Sequence, residues 1–248
     1  MKSFGLTDRG KIRKDNQDSF IIEKCSARNC LLLSVCDGMG GENAGSLASQ
    51  LVNKAFVSYV YSHISEFTGR SVPYSEILRD ACAEANGVAY EYSHFSKEYE
   101  GMGTTLVAAV VRPNGSVSLI NVGDSRAYHI SPRTQCIVQI TRDHSYVEDL
   151  VVHGVITREQ VKTHPNRNVI TRALGSDPEV QADTFEFNIS GGEMLLLCSD
   201  GLTNTVSDRE ILAAAVQSRD PERLCRQLME TALQRGARDN VTVVSARK

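Results

Sequence analysis

The clearest structural signal in this sequence is the stretch Leu31-Leu32-Leu33-Ser34-Val35-Cys36-Asp37-Gly38-Met39-Gly40-Gly41. Its first six residues form a short apolar run of the length that is typical of a buried β-strand. The run ends at an aspartate, and the glycines that follow allow the backbone to turn sharply. We therefore expect a carboxylate and a main-chain carbonyl to face the same space beyond the end of this strand.

Four further aspartates stand at the ends of predicted strands. They are Asp18 before residues 20–22, Asp124 after residues 119–123, Asp200 after residues 195–199 and Asp239 before residues 241–244. A single aspartate in a turn is common and says little by itself. Five carboxylates at one edge, however, repel one another unless cations neutralise them. Oxygen ligands favour hard ions such as Mg²⁺ or Mn²⁺, and a pair of such ions can activate water for attack on phosphorus.

The rest of the chain predicts short strands interrupted by long helices. Strands are predicted at residues 31–36, 106–111, 117–122, 137–140, 185–189, 194–198 and 241–244. Apolar residues at helical spacing predict helices over about residues 44–64 and 75–92. A third helix is predicted between Asp220-Pro221 and Gly236, because an aspartate N-cap, a proline and a glycine mark its ends. This order predicts mostly antiparallel strands in two sheets with helices packed outside them.

A polar excursion at about residues 144–175 interrupts this pattern. It contains a capping-box start from Thr157 to Gln160, and we expect it to leave the core like a flap.

The chain has 248 residues, of which 41% are hydrophobic, and this is enough to bury the core of one domain. We therefore expect a single domain over residues 1–248.

The composition argues against several classes of protein. A net charge of −3 without a basic stripe disfavours a nucleic-acid partner and a metal-dependent nuclease. The sequence shows neither a secretory-signal pattern nor an apolar run of membrane-spanning length, which predicts a cytoplasmic protein without a membrane partner.

The seven cysteines include no Cys-x-x-Cys pair, so we expect buried, reduced thiols. Asn43 breaks the glycine spacing that a nucleotide-binding loop requires.

Taken in order, the segments around these aspartates resemble the motifs of the metal-dependent protein phosphatases, the PPM or type 2C family. The chain looks most like the short bacterial members, which oppose eukaryote-like serine/threonine kinases. One such motif alone is weak, but the ordered set is specific and runs nearly end to end. The motifs are Arg13-x-x-Asn16-Gln17-Asp18, Asp37-Gly38-Met39-Gly40-Gly41, Gly103-Thr104-Thr105, Val122-Gly123-Asp124-Ser125-Arg126, Asp143-His144-Ser145, Thr171-Arg172-Ala173-Leu174-Gly175, Ser199-Asp200-Gly201 and Asp239-Asn240-Val241-Thr242.

The resemblance implies an α+β fold, in which a sandwich of two antiparallel β-sheets is flanked by α-helices and has a binuclear metal centre at one end. It implies two Mn²⁺ or Mg²⁺ ions and a third ion that is held more weakly by Asp124 and Asp200. The implied metal ligands are Asp18, Asp37, the Gly38 carbonyl, Asp124, Asp200 and Asp239. Asp37, Asp239 and Arg13 are the implied catalytic residues. Arg13 is also the implied substrate-binding residue, because a planar guanidinium can meet two phosphate oxygens at once.

The implied activity is hydrolysis of phosphoserine and phosphothreonine in phosphoproteins by a monomeric enzyme whose partner is a serine/threonine kinase. Met39 stands where many eukaryotic members have a histidine that is thought to protonate the leaving alkoxide. His144, His153 and water therefore remain open as the general acid. Two other functions also remain open. One is a pseudo-phosphatase that binds phosphoproteins without hydrolysing them, and the other is a regulatory phosphatase of an anti-sigma-factor antagonist.

Overall fold

The structure is a computed structural model that describes residues 1–26, 28–41, 43–66 and 73–248. The strands are β1 (Lys2–Asp8), β2 (Asp18–Cys25), β3 (Cys30–Met39), β4 (Gly103–Thr104), β5 (Leu106–Val111), β6 (Ser116–Val122), β7 (Arg126–Ser131), β8 (Cys136–Gln139), β9 (Asp183–Asn188), β10 (Met194–Cys198) and β11 (Val241–Arg247). The helices are α1 (Ala44–Glu66), α2 (Tyr74–Phe95), α3 (Tyr146–Val152), α4 (Arg158–Val161), α5 (Asp200–Thr203), α6 (Asp208–Ser218) and α7 (Pro221–Gln234). Among the residues that the structure describes, no helix combines the length and apolarity needed to cross a bilayer.

The strands form two antiparallel sheets. One sheet has the strand order β1-β11-β10-β7-β8, and the other has the order β2-β3-β5-β6-β9 with the short β4 paired to β3. The register of the β2–β3 hairpin places Asp18 directly opposite Asp37. In the other sheet β10 lies between β7 and β11, so that Leu197 is flanked by Ala127 and Val244. The predicted sandwich of two antiparallel sheets is confirmed.

The alternation of side chains along β3 explains why residues 31–36 are apolar except for Ser34. Leu33 and Val35 pack between the two sheets, in the same core as Leu197 of β10. Leu32 and Cys36 belong to a second core, which α1 and α2 close from outside. Successive side chains of a strand point to opposite faces, and both faces of β3 are covered. Residues 31–36 therefore favour apolar side chains, and the buried Ser34 hydroxyl is satisfied by donating to the Asn53 side chain.

The outer face of the other sheet is covered by α6 and α7. The Asp220 side chain caps α7 as predicted, by accepting hydrogen bonds from two backbone N–H groups of the first turn. Leu224 and Leu228 on its inner face are buried in a third core. The sequence pattern misses α6, although Ser207 and Glu210 form the capping box that starts it. Helices thus flank both sheets, as the fold prediction requires.

The sequence pattern also misses β1 and β7. β1 is an edge strand whose side chains are mostly half-exposed, and β7 carries the polar residues Arg126 and His129, so neither is a continuous apolar run.

Six of the seven cysteines are buried and all seven are free thiols. The prediction of buried thiols is wrong at Cys136, which is exposed at the start of the edge strand β8. An edge strand has a neighbour on one side only, so its residues stay accessible.

The excursion at residues 144–175 leaves and re-enters the fold through paired ends. Ser145 and Ile170 form an isolated antiparallel bridge. The short helices α3 and α4 lie between these two residues. The predicted capping box at the start of α4 is present, with the Gln160 side chain accepting a hydrogen bond of 2.7 Å from the Thr157 N–H. A flap function for this excursion stays a prediction.

A buried asparagine on α2 holds the chain where the excursion ends. The Asn86 side chain donates to the carbonyls of Asp177 and Pro178 at 3.0 and 3.1 Å, and it accepts from the Gly175 N–H at 2.9 Å. Only 1% of Asn86 is exposed. Buried polar groups need partners, so this one side chain satisfies three backbone groups that have few alternatives. Asn86 therefore ties α2 to the segment that leads into β9.

We expect Asn86→Ala to lower the free energy of unfolding by roughly 3 kcal/mol, because it removes three hydrogen bonds and leaves buried backbone groups unsatisfied. Urea denaturation followed by circular dichroism measures this change. Glu84→Ala, at an exposed position of the same helix, is the matched control and should change stability by less than about 0.5 kcal/mol. Equal stability of the two variants would contradict the anchoring role of Asn86.

Candidate functional site

The strand ends bring the five predicted aspartates together at one end of the sandwich. Asp18 and Asp37 are direct partners on β2 and β3. Asp200 follows β10 and Asp239 precedes β11, and these two strands are neighbours in the other sheet. Asp124 lies in the turn between β6 and β7, where the chain passes from one sheet to the other. Asp37 interacts electrostatically with all four of the others.

Two threonines hold the backbone of Asp37. The Thr105 hydroxyl accepts a hydrogen bond of 2.9 Å from the Asp37 N–H, while the Thr105 N–H and the Thr104 hydroxyl donate to the Asp37 carbonyl at 2.9 and 2.8 Å. A Cβ on the next residue, Gly38, would lie 2.0 Å from the Gly45 carbonyl oxygen. Only glycine fits there, because α1 begins immediately against the strand end. The Asp37 side chain is thus presented from a backbone that is fixed on both sides.

Asp18 shows most clearly that the carboxylates of the cluster lack compensating positive charge. Its Oδ2 accepts short hydrogen bonds from the hydroxyls of Ser199 and Thr242, at 2.7 and 2.6 Å. Its Oδ1 is buried and has no hydrogen-bond partner. Burial raises the pKa of Asp18 to about 7, against the opposing effect of the two hydroxyls. A buried carboxylate oxygen without a partner calls for a proton or a cation.

The other members of the cluster share this environment. Burial is the largest cause that raises the pKa of Asp37 and Asp124 well above the ordinary value, and the neighbouring carboxylates raise it further. The pKa of Asp200 is also raised, first by burial and then by Asp239. Like charges in a poorly hydrated site disfavour ionisation of these three carboxyls. Cations or protons must therefore balance this charge in the folded protein.

The atoms of the cluster that could ligate a metal ion are oxygens, and some of them already accept hydrogen bonds. Asp18 Oδ2 accepts from two hydroxyls, and Arg13 donates to Asp239 Oδ2. In the described part of the chain, no three aspartate, glutamate, histidine or cysteine side chains are arranged to ligate one ion by themselves. Water and main-chain carbonyls, such as that of Gly38, would have to complete any coordination sphere. Such oxygen-rich, partly hydrated sites suit Mg²⁺ and Mn²⁺.

Arg13 is a cation that contacts the cluster directly. One of its terminal nitrogens donates to Asp239 Oδ2 at 2.8 Å, and 54% of its side chain remains exposed. The hydrogen bond with Asp239 is the largest cause that raises the pKa of Arg13, with further contributions from Asp37 and Asp200. The guanidinium is therefore anchored at one edge and accessible at the other, as a group that binds an incoming anion must be.

Asn240 positions the loop that carries Arg13, a role that the sequence pattern does not reveal. Its side-chain oxygen accepts from the Gln17 N–H at 2.9 Å, and its amide nitrogen donates to the carbonyls of Arg9 and Asp15 at 3.0 and 2.9 Å. An asparagine amide both donates and accepts, so one side chain can bind both ends of a loop. Its position beside Asp239 in the sequence is the only local signal for this role.

The two candidate histidines differ in how far their ring nitrogens are engaged. His144 is buried, its Nδ1 accepts a hydrogen bond of 3.1 Å from the Gly123 N–H, and its Nε2 lies 3.3 Å from Asp183 Oδ2. Burial lowers the pKa of His144, and Arg172 Nη1 also lies 3.3 Å from its Nε2. The exposed His153 packs its Nδ1 against the Asp149 carbonyl at 2.7 Å, at the end of α3.

Comparisons with known proteins agree with this geometry. The sequence profile of the family described as protein phosphatase 2C matches residues 11–241. The serine/threonine phosphatase stp of Listeria welshimeri is 35% identical over 238 residues, which cover 96% of this chain and 92% of that protein.

Solved structures give the same result. The serine/threonine phosphatase Stp1 from Staphylococcus aureus superposes with a TM-score of 0.88 at 39% identity, covering all of this chain and 94% of that one. The catalytic domain of the serine/threonine protein phosphatase PstP, solved in complex with two manganese ions, has a TM-score of 0.84 at 35% identity, covering 99% of this chain and 97% of that one. Since the profile spans most of the sequence and both sheets superpose, the chain belongs to the protein phosphatase 2C family.

Proposed function

We propose that the chain is a metal-dependent protein phosphatase that hydrolyses phosphoserine and phosphothreonine in proteins. The observation that carries this proposal is the cluster of five aspartates from both sheets, with a half-exposed arginine at its edge. Such a site offers negative charge for cations and one fixed positive group for a phosphate. The names of the bacterial relatives, which are serine/threonine phosphatases, support the same reaction and substrate class.

The aspartates fit a site for two divalent cations. Asp37, which interacts with all four other aspartates, would hold the ions together with the Gly38 carbonyl, Asp200 and Asp239. Asp18, with its unpartnered Oδ1, would bind an ion directly or through water. Asp124 and Asp200 would hold a third, weaker ion. When bound, such ions supply an activated water nucleophile and neutralise charge on the phosphoryl group. Mg²⁺ and Mn²⁺ both suit these oxygen donors, and the PstP structure with manganese supports the latter.

Arg13 would hold the substrate phosphate beside this centre. Its guanidinium already lies 2.8 Å from Asp239, so an anion bound to its exposed edge stays next to the carboxylate cluster. A planar guanidinium meets two phosphate oxygens at once and stabilises the charge that persists on the transferring phosphoryl group. Asn240 would act indirectly, by holding the loop on which Arg13 stands.

Water is the group that would protonate the leaving oxygen. The Met39 thioether cannot donate a proton, and both ring nitrogens of His144 are engaged by Gly123 and Asp183. A water molecule in a charged, solvent-accessible site can supply the proton without any of these side chains.

The cellular role proposed here is to oppose a serine/threonine kinase in the cytoplasm, as a monomer. Seven free thiols support a reducing compartment. The presence of all five aspartates favours hydrolysis over simple phosphoprotein binding, and nothing described in the chain favours action on an anti-sigma-factor antagonist. Phosphoproteins are therefore the proposed substrates and the kinase that modifies them is the proposed partner.

The first test is metal dependence. Hydrolysis of a phosphothreonine peptide should stop in EDTA and return when Mn²⁺ or Mg²⁺ is added in excess. Asp37→Asn and Asp239→Asn should each lower kcat/KM at least about 100-fold, because even residues that only support metal ligands contribute roughly 10–100-fold. Asp15→Asn, which removes an exposed carboxylate from the nearby loop, is the matched control. Full activity in EDTA would refute the proposal.

The second test concerns Arg13. Arg13→Ala should lower kcat/KM for the phosphothreonine peptide by about 100-fold, as expected when a fixed donor to the transferring group is lost. Arg13→Lys should retain an intermediate activity, because it keeps the charge but loses the two-pronged geometry. Lys11→Ala, an exposed charge on the same loop, should leave kcat/KM within about twofold. If Arg13→Ala behaves like Lys11→Ala, Arg13 does not bind the phosphate.

The third test uses pH. Raised pKa values mean that the metal-free folded protein holds protons which the unfolded chain releases, so stability from these carboxylates is complete below about pH 4 and falls as pH rises through about 7, the value for Asp18. Bound cations replace these protons. The rise in melting temperature caused by Mg²⁺ should therefore be larger at pH 8 than at pH 6, by differential scanning calorimetry. Asp37→Asn should reduce this rise, and an equal rise at both pH values would contradict the competition.

A further inference from the structure

A groove runs between the excursion and the helices that follow β10. Two adjoining cavities of about 880 and 570 Å³ form it, and Lys162 and Arg167 of the excursion line both of them. The larger cavity reaches Asp124 and Asp200, and the smaller one reaches Asp239. The groove therefore passes along the carboxylate cluster and extends away from it, where the residues on either side of a bound phosphorylated residue would lie.

The carboxylates in the walls of this groove, outside the cluster, have partners already. The wall carboxylates that form salt bridges with arginines are Asp143, Glu148 and Glu210. The fourth, Asp208, accepts a hydrogen bond of 3.0 Å from the Tyr128 hydroxyl. Three of these four negative charges are thus balanced within the protein and add little to the net field that a ligand meets.

Four basic residues of the walls are not balanced in this way. Lys162 and Arg167 stand on the excursion, whereas Arg209 and Arg238 stand on the opposite wall. All four are exposed, and within residues 1–26, 28–41, 43–66 and 73–248 none of them forms a salt bridge. Lys162 has one acidic neighbour, the exposed Glu159 three residues earlier, with which it interacts electrostatically. Because they face one groove from both sides, their fields add in the space between the walls.

We propose that this basic groove selects substrates in which acidic residues flank the phosphorylated serine or threonine. The inference rests on the proposed phosphatase function, since the phosphate must be held at Arg13 for the flanking residues to enter the groove. Aspartate or glutamate in the flanks would pair with the four unbalanced cations, while lysine or arginine would be repelled by them. The carboxylate cluster accounts for the reaction, and the groove accounts for the choice among phosphoproteins.

The test compares three phosphothreonine peptides of equal length, whose flanking residues are acidic, neutral or basic. With wild-type protein and Mn²⁺, kcat/KM should be highest for the acidic peptide and exceed that for the basic peptide by at least about tenfold. This preference should decrease as NaCl rises from about 50 to 300 mM, because salt screens exposed charges. Equal rates for the three peptides, or a preference for the basic one, would overturn the proposal.

The double variant Lys162→Glu/Arg167→Glu should abolish or reverse the preference and leave kcat/KM for a small aryl phosphate within about twofold, because that substrate has no flanks. The matched control is Lys54→Glu/Arg223→Glu, which makes the same change of charge at exposed positions of α1 and α7. The control should keep the wild-type order of peptides. A preference that survives in the groove variant, or is lost equally in the control, would overturn the proposal.

Binding separates this inference from the proposed function. Fluorescence anisotropy with non-hydrolysable phosphonate analogues of the same peptides measures recognition without hydrolysis. If wild-type protein binds the acidic analogue most tightly and the groove variant loses this order, the groove is confirmed even where hydrolysis fails. Equal binding of the three analogues would overturn the proposed selectivity of the groove without contradicting the proposed hydrolysis. Equally tight binding of a single-stranded oligonucleotide, lost in the same variant, would show that the groove does not select acidic peptides.

Discussion

Mutual repulsion among five aspartates is the interaction on which the architecture of the site depends. Each comes from a different strand end, and burial together with the neighbouring charges raises the pKa of most of them. Left to itself, such a cluster would push the strand ends apart. It is kept together because three separate apolar cores fix the sheets and the helices outside them. The free energy of packing therefore maintains a charge arrangement that protons or metal cations must balance.

Side chains with no charge of their own set the geometry of this cluster. Thr104 and Thr105 bind the backbone of Asp37, and the hydroxyls of Ser199 and Thr242 bind one oxygen of Asp18. Each contact turns a carboxylate in a defined direction and leaves other oxygens available. An uncharged side chain also positions Arg13, because the single side chain of Asn240 binds the loop that carries it. Asp239, which binds Arg13, and Asn240, which binds the loop of Arg13, are thus adjacent in the sequence.

The distribution of charge divides the surface around the site into two parts. The strand ends concentrate negative charge, which suits cations and repels a bare anion. The groove beside them has basic walls, built from the excursion on one side and the α5–α6 region on the other. Since the excursion is joined to the core through paired ends at Ser145 and Ile170, its position relative to the strand ends is defined by the fold. The groove and the metal-binding cluster therefore form one continuous surface.

Features that depend on nearby residues could be predicted from the amino-acid sequence, whereas features that depend on contacts between distant residues could not. The strand of Leu31, the helix cap at Asp220 and the aspartate at each strand end were predictable, because alternation, capping and turn chemistry act over a few residues. The roles of Asn86 and Asn240 were not, since their partners lie about 90 and 225 residues away. The sequence around each aspartate identifies the charged groups, but only the packing of the two sheets brings their oxygens close to one another.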